Sequence, residues 1–110
     1  RVLQFLAFPD ITAQQTSYAV LYETIGLINE QLWIGHFEMW SGNGSIVFRH
    51  ATLLESQERP QLDMEMADAL IDSAIGELDR YYPVFQFVMW GGKSPSEALS
   101  AAMVETAGEA

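Results

Sequence analysis

The chain contains no cysteine, which excludes a disulfide framework, a thiolate zinc site and a cysteine nucleophile but does not itself reveal the redox compartment. It is also poor in cations, with five Lys and Arg against fifteen Asp and Glu and a formal net charge of -10. A surface of that sign repels phosphate backbones and anionic lipid, so neither nucleic acid nor membrane is an expected partner. No apolar run approaches the roughly 20 residues of a membrane span, and no basic start leads into an apolar signal segment, which makes the cytoplasm the default location. Three catalytic templates are missing as well: a G-x-S-x-G elbow, an H-E-x-x-H helix and a G-x-G-x-x-G turn. Nucleophile, metal and dinucleotide chemistry therefore lack sequence support, and no cofactor is expected.

What is present is the material of a core. Apolar residues make up 49% of the 110 positions and charged ones 18%, with six Phe, four Tyr and three Trp, the composition of a folding chain rather than a disordered one. The length suits a single domain, 1–110, able to bury roughly 60 to 70 per cent of the surface its unfolded form exposes. The opening RVLQFLAF reads as an almost wholly apolar strand over 2–8, punctuated by Pro9 and Asp10. A domain seldom begins inside such a strand, because an apolar edge without a neighbour is exposed. Together with the lack of an initiator methionine, this predicts preceding elements.

Thr12 with Gln15 fits a capping box, and Tyr18, Leu21, Tyr22, Ile25, Ile28 and Leu32 recur at helical spacing, predicting an amphipathic helix over 13–32 ended by Gly35. The β-branched and aromatic runs 35–40 and 45–54 flank Gly42-Asn43-Gly44 and predict a hairpin. After a polar break at 57–60, Leu62, Met66, Leu70 or Ala69, Ala74 and Leu78 mark a second helix, whose other face carries Glu65, Asp68, Asp72 and Asp79. The stretch 81–90 combines high β-propensity with Pro83; it is read as a kinked continuation of that helix. Gly91 and Gly92 suit its C-cap, and Ser94-Pro95-Ser96-Glu97 supplies an N-cap, a first-turn proline and a capping-box glutamate for a last helix. The order is strand, helix, two strands, helix, helix.

Gly91-Gly92-Lys93-Ser94 invites comparison with a phosphate-gripping loop. A P-loop needs an earlier glycine where this chain has Phe87, and Pro95 removes an amide from the next helix start. GGKS is therefore read as a helix stop and a helix start, with Lys93 at most a weak anion contact. Paired histidines can hold zinc, so the hairpin register matters. If Asn43-Gly44 forms a two-residue primed turn, Gly42 faces Ser45, Glu38 faces Arg49, Met39 faces Phe48 and Phe37 faces His50. That register joins acid to base and sends the histidines to opposite faces, His50 hydrogen-bonded among apolar residues and His36 on the surface. Glu65, Asp68 and Asp72 stand at helical spacing, but without a calcium-loop pattern they read as a solvated face. The five methionines read as gap-fillers in a core rather than as an adaptable surface.

The stretches NEQLWIGHFEMW (29–40), FRH (48–50) and YPVFQFVMWGGKS (82–94) resemble the bacterial YbjN-domain family in its alphaproteobacterial version, and the resemblance spans essentially the whole chain. It implies a sensory-transduction regulator whose fold is similar to that of type III secretion chaperones: an α+β domain with a short antiparallel sheet flanked by helices. The family pattern also has an N-terminal helix and two strands that this sequence lacks, which puts any partner site built from those pieces in question. It carries no catalytic residues to transfer.

Small size, acidity, many aromatics and absent catalytic templates favour a non-enzymatic, chaperone-like or regulatory domain that binds another protein. Self-association as a homodimer through the first strand or the apolar helix surfaces is expected, since an exposed apolar edge invites pairing. Secretion chaperones of similar fold commonly act as homodimers that bind extended segments, so the resemblance points the same way. The alternative is a small-molecule sensor with an aromatic pocket around Trp40, Tyr82 and Trp90. Phe5, Trp40, Tyr82 and Trp90 are accordingly the candidate partner or ligand surface, and no catalytic or metal-binding residue is expected. An open sheet edge or apolar groove favours the first reading; a pocket lined by convergent polar groups favours the second.

Overall fold

Alternation of apolar residues along three short runs builds the sheet. A computed structural model describes residues 1–53 and 64–108, with side chains to 104; Leu54, the predicted break at 57–60 and Leu62 lie outside the described residues. The elements are β1 (Val2–Ala7), a 3₁₀ turn (Gln15–Ser17), α1 (Tyr18–Asn29), β2 (His36–Trp40), β3 (Ser45–Leu53), α2 (Met64–Met89) and α3 (Pro95–Gly108). The strands form one antiparallel sheet in the order β1-β3-β2, and with three helices the fold is α+β. No helix among the described residues is long and apolar enough to cross a membrane.

One sheet face is the floor of the core. Phe37 and Met39 of β2 and Ile46 and Phe48 of β3 are buried there, beneath Leu21, Ile25 and Ile28 of α1. Tyr81, Val84, Phe85 and Val88 of α2 are also buried. They fall at i, i+3, i+4 and i+7, so a helix brings all four to one side, where a strand would split them between two. Each such burial contributes about 1.5 to 3 kcal/mol, which outweighs both the β-propensity of the stretch and the amide lost at Pro83. The expected helical continuation is thus one unbroken element through Pro83. Burial pushes the Tyr81 hydroxyl's pKa up, keeping it a neutral donor, and it donates to Gln31 Oε1 at 3.3 Å. Ala98 and Ala102 of α3, one turn apart and buried, let that helix lie close on α1 and α2.

Three local expectations are corrected. The predicted helix over 13–32 is shorter, because Thr12 does not cap it. Its backbone instead bridges Ser45, Ala13 N–H donates to the Gly44 carbonyl (2.8 Å) and Ile46 N–H to that of Ile11 (3.1 Å), and Ile11 and Ala13 are buried. Strand-like pairing has claimed the backbone that a helical first turn needs. At the other end α1 stops at Asn29, whose side chain is used by β2.

The hairpin register is the second. Phe37 lies opposite Phe48, Glu38 opposite Val47, Met39 opposite Ile46 and His36 opposite Arg49, two residues from the expected pairing. The shift is even, so the faces are as expected and His36 and His50 stay on opposite sides. The loop is four residues, 41–44, instead of two. Gly44 N–H bonds the Trp40 carbonyl (2.7 Å), Ser45 N–H bonds Asn43 Oδ1 (3.0 Å), and the Ile11–Ala13 bridge pins Gly44 from the side. His50 sits half-buried opposite Phe5, with no ring hydrogen bond among the described residues.

Third, the first half of the α2 stripe is not core: Ala74 is buried, but Met66 is 43% exposed and Ala69 is exposed. At 26 residues, about 39 Å, α2 is much longer than its partner helices, and its first turns project past them.

Gly44 tests the pinned loop. Its φ is +77°, and an added Cβ would come within 2.2 Å of the Ala13 carbonyl oxygen, whereas Gly42 has open space. Gly44→Ala is expected to cost about 2 kcal/mol or more in urea melts, and Gly42→Ala no more than about 0.5 kcal/mol.

Candidate interaction surface

Backbone polarity decides where this sheet is closed and where it is open. Asn29 donates from Nδ2 to the Phe37 carbonyl (3.0 Å) and accepts at Oδ1 from the Phe37 N–H (2.8 Å), so a side-chain amide stands in for a strand at the middle of the β2 edge. These bonds also set the phase of the ladder. In an antiparallel pair a residue's N–H and C=O point to one side and its neighbours' to the other. With Phe37 turned outward, its partner Phe48 is turned toward β1 and bonds Ala7. Val2, Gln4 and Leu6 are consequently turned away from β3. β1 is an edge strand, and no described strand pairs with that side.

Beside the open edge lies an apolar groove of about 90 Å3, lined by Leu3, Gln4 and Phe5 of β1 and Ala67, Leu70 and Ile71 of α2. On the groove side, Met64 (77% exposed) and Ile75 (51%) extend the helix wall, while Val2 (62%) and Leu53 (69%) are exposed on the opposite face of the same strand pair. Val2 and Leu53 are register partners. Scattered exposed apolar residues are ordinary, but a concentration along one edge and one helix end marks a contact surface. Met64 belongs to it, contrary to the gap-filler reading for that residue.

The four residues singled out from sequence do not converge. Phe5 lines the groove. Trp90, at the end of α2, lines a separate cleft of about 250 Å3 with Thr12, Gln14, Ser17 and Met89. Tyr82 is half-buried against the core, and Trp40 lies on the outer face of the sheet. Trp33, in the α1–β2 connection, is not among the four yet is 99% exposed; its break from the apolar spacing of α1 is the sequence signal for it. The GGKS segment is the expected junction. Gly92 has φ +68°, and the N–H groups of Gly91 and Lys93 bond the Phe87 carbonyl (both 3.1 Å). Ser94 Oγ accepts from Glu97 N–H (3.3 Å) and donates to Glu97 Oε1 (2.8 Å). The start of α3 is thus already supplied with its own carboxylate, the position an anion would take.

Among the described residues no helix covers the outer face, and a side-chain lid takes that place. Phe8 and Trp40 meet edge to face at 5.4 Å. They arise from the β1 and β2 sides, so their contact passes over β3, which accounts for Val47 being wholly buried on this face. Glu38 organises the lid: Oε2 accepts from Trp40 Nε1 (2.7 Å) and Arg49 Nη2 (2.8 Å), and Oε1 meets His36 Nε2 (2.8 Å). The acid–base pair expected from sequence exists, but diagonally, since Val47 is Glu38's direct partner. Burial pushes the Glu38 carboxyl up, but the Trp40 and His36 hydrogen bonds and the Arg49 charge prevail and hold it below its ordinary value of 4.5. A depressed carboxyl stabilises the fold fully above that value and loses the contribution as pH falls through the lower folded one. Glu38→Gln is therefore expected to cost about 1 kcal/mol at pH 7, with the gap to the wild type closing in urea melts below pH 4.5.

No curated protein and no solved structure matches the chain. The profile of one family, YbjN, described as "Putative bacterial sensory transduction regulator", matches residues 1–87. That span takes in the open edge, the groove, the Glu38 lid and all but the end of α2. The match covers well over half of the sequence, and the chain belongs to the YbjN family, whose description is that of a regulator rather than an enzyme.

Proposed function

We propose that this domain is a non-enzymatic, chaperone-like regulator that works by binding protein. The observation that carries the reading is the open side of β1, where the backbone groups of Val2, Gln4 and Leu6 face outward beside an apolar groove. Strand addition at such an edge supplies main-chain hydrogen bonds, and an adjacent groove supplies side-chain selectivity. The same edge can pair two copies of the chain, the homodimeric arrangement expected from sequence. A sensory-transduction regulator needs a surface of this kind to pass a signal on, and the family description is consistent with it.

A second reading keeps one specific observation. The cleft at Trp90 is lined by the polar residues Thr12, Gln14 and Ser17 beside Trp90 and Met89, a composition that supports a small neutral ligand. It is smaller than most drug-sized pockets, which start near 300 Å3, and Trp40 and Tyr82 do not contribute to it.

The variant Gln4→Pro separates the two. Proline is tolerated on an edge strand where its missing N–H faces outward, so the β1–β3 ladder and the melting curve should persist while edge pairing is lost. The expected result is an associating wild type, by sedimentation equilibrium or by capture of a specific protein from its own cells, and a non-associating Gln4→Pro. A wild type that stays monomeric at high micromolar concentration and captures nothing would move the small-molecule reading to first place.

A further inference from the structure

We propose that the cleft at Trp90 is a binding site for a neutral sugar, one pyranose ring stacked on the indole with its hydroxyls met by Thr12, Gln14 and Ser17. The proposal rests on the small-molecule reading and names the class of ligand. The polar wall comes from the segment that bridges Ser45. Ile11 and Ala13 are buried there while Thr12 and Gln14 are exposed, the strand-like alternation that puts those two side chains on the side away from the core. Ser17 follows at the N-cap position of α1, where its side chain makes no capping bond. The opposite wall is Met89 and Trp90. Trp90 N–H bonds the Gln86 carbonyl at 2.9 Å, so the last turn of α2 fixes the backbone that carries the indole, which is 65% exposed.

Charge, hydrogen bonding and size narrow the class of ligand. None of the residues lining the cleft is charged. Lys93, the cation nearest to Trp90 in sequence, lies over the Phe87 ring at 5.8 Å, and a chain of net charge -10 repels anions. An ionic ligand would enter without a counter-charge, whereas a neutral one meets no such penalty. The hydroxyls of Thr12 and Ser17 and the amide of Gln14 each offer both a donor and an acceptor. Among the described residues these side chains and the Trp90 indole make no hydrogen bond to another part of the chain, in contrast to the Trp40 indole, which Glu38 occupies. A sugar hydroxyl is likewise donor and acceptor at once, and a pyranose ring has an apolar C–H face that packs on an indole. A wholly aromatic ligand would leave the polar wall unmatched. The volume of about 250 Å3 exceeds the roughly 150 Å3 that holds a benzene ring and falls short of the roughly 300 Å3 at which drug-sized pockets begin, which sets the ligand at a single ring.

Proton–nitrogen correlation spectra of the full chain test this, because each of its three Trp gives its own indole N–H signal. Glucose, galactose, mannose and N-acetylglucosamine are the probes, with the 6-phosphate of each as the anionic comparison and phenol as the aromatic one. The expected result is a saturable shift of the Trp90 signal with at least one neutral sugar while those of Trp33 and Trp40 stay in place, and binding of its 6-phosphate about fivefold weaker or more. Saturation-transfer measurements on the sugar then compare variants at two exposed positions, with melting curves as the control for the fold. Trp90→Ala should weaken binding about tenfold or more, and Gln14→Ala about fivefold, as for one lost hydrogen bond. Sugars that leave Trp90 unmoved while phenol shifts it overturn the sugar assignment and leave the small-molecule reading standing. A 6-phosphate that binds as tightly as its neutral parent also overturns the assignment, as does sugar binding that survives Trp90→Ala. If no probe shifts Trp90, the assignment and the small-molecule reading fall together.

Discussion

The structure depends on how Phe37 is held. Its backbone is bracketed by the Asn29 amide at the end of α1. Its ring meets Phe48 of β3 at 5.4 Å and, on α2, Phe85 at 5.5 Å and Tyr81 at 6.1 Å, each edge to face. One residue therefore ties two strands and two helices, and it does so with both parts of its structure. Aromatic pairs of this geometry add about 0.5 to 1.5 kcal/mol beyond the area they bury, and the Asn29 bracket spares two backbone groups from being left unpaired near the core. Because the bracket sets which way Phe37 points, it also sets which way every other residue of the sheet points, out to the far edge at β1.

The two edges are consequently unlike. At β2 a side chain has been spent to occupy the backbone; at β1 the outward groups of three residues meet no described strand. Natural sheets commonly protect exposed edges with charge, proline or a bulge, and β1 has none of these between Val2 and Ala7. The face opposite the core is treated differently again. Among the described residues no helix lies above it; Phe8 and Trp40 arch over Val47, and Glu38 accepts from the indole N–H and from Arg49 Nη2 in a half-dry setting. Among the described residues the sheet thus has one edge closed at Phe37 and one open, a lidded face and a helix-covered face, and the open edge adjoins an apolar groove.

Much of this was legible in local chemistry. The order of elements follows from apolar spacing and from turn residues, and the α2–α3 junction was readable because a glycine pair, an N-cap serine and a first-turn proline each have one dominant local use. The faces of the hairpin were readable because Phe37, Met39, Ile46 and Phe48 alternate. What escaped were features set by contacts distant in sequence. Asn-Gly favours a two-residue turn when considered alone, but Gly44 is pinned by Ile11 and Ala13, which no window around the turn contains. Thr12 resembles a cap until Ser45 pairs with it. Met66 shares the spacing of Ala74, and only the reach of α2 past its neighbours separates an exposed residue from a core one. Trp40, Tyr82 and Trp90 share aromatic character, which says nothing of whether they share a location; Phe5 drew notice as part of an apolar strand and does line the groove.

The sheet order has a consequence for how the chain folds. β2 and β3 are joined by a four-residue loop and can zip together locally, whereas the partners in the β1–β3 ladder are about 40 to 50 residues apart, so closing that loop carries a larger entropic cost. The central strand is therefore matched first on its β2 side and must wait for β1. While it waits, β3 itself presents an unpaired edge carrying Phe48 and Ile46, and the first segment able to satisfy it is the one that stays. The strand that ends with a free side is also the one with the most distant anchorage, so the ladder holding it should be the part of the sheet that opens most readily to solvent exchange.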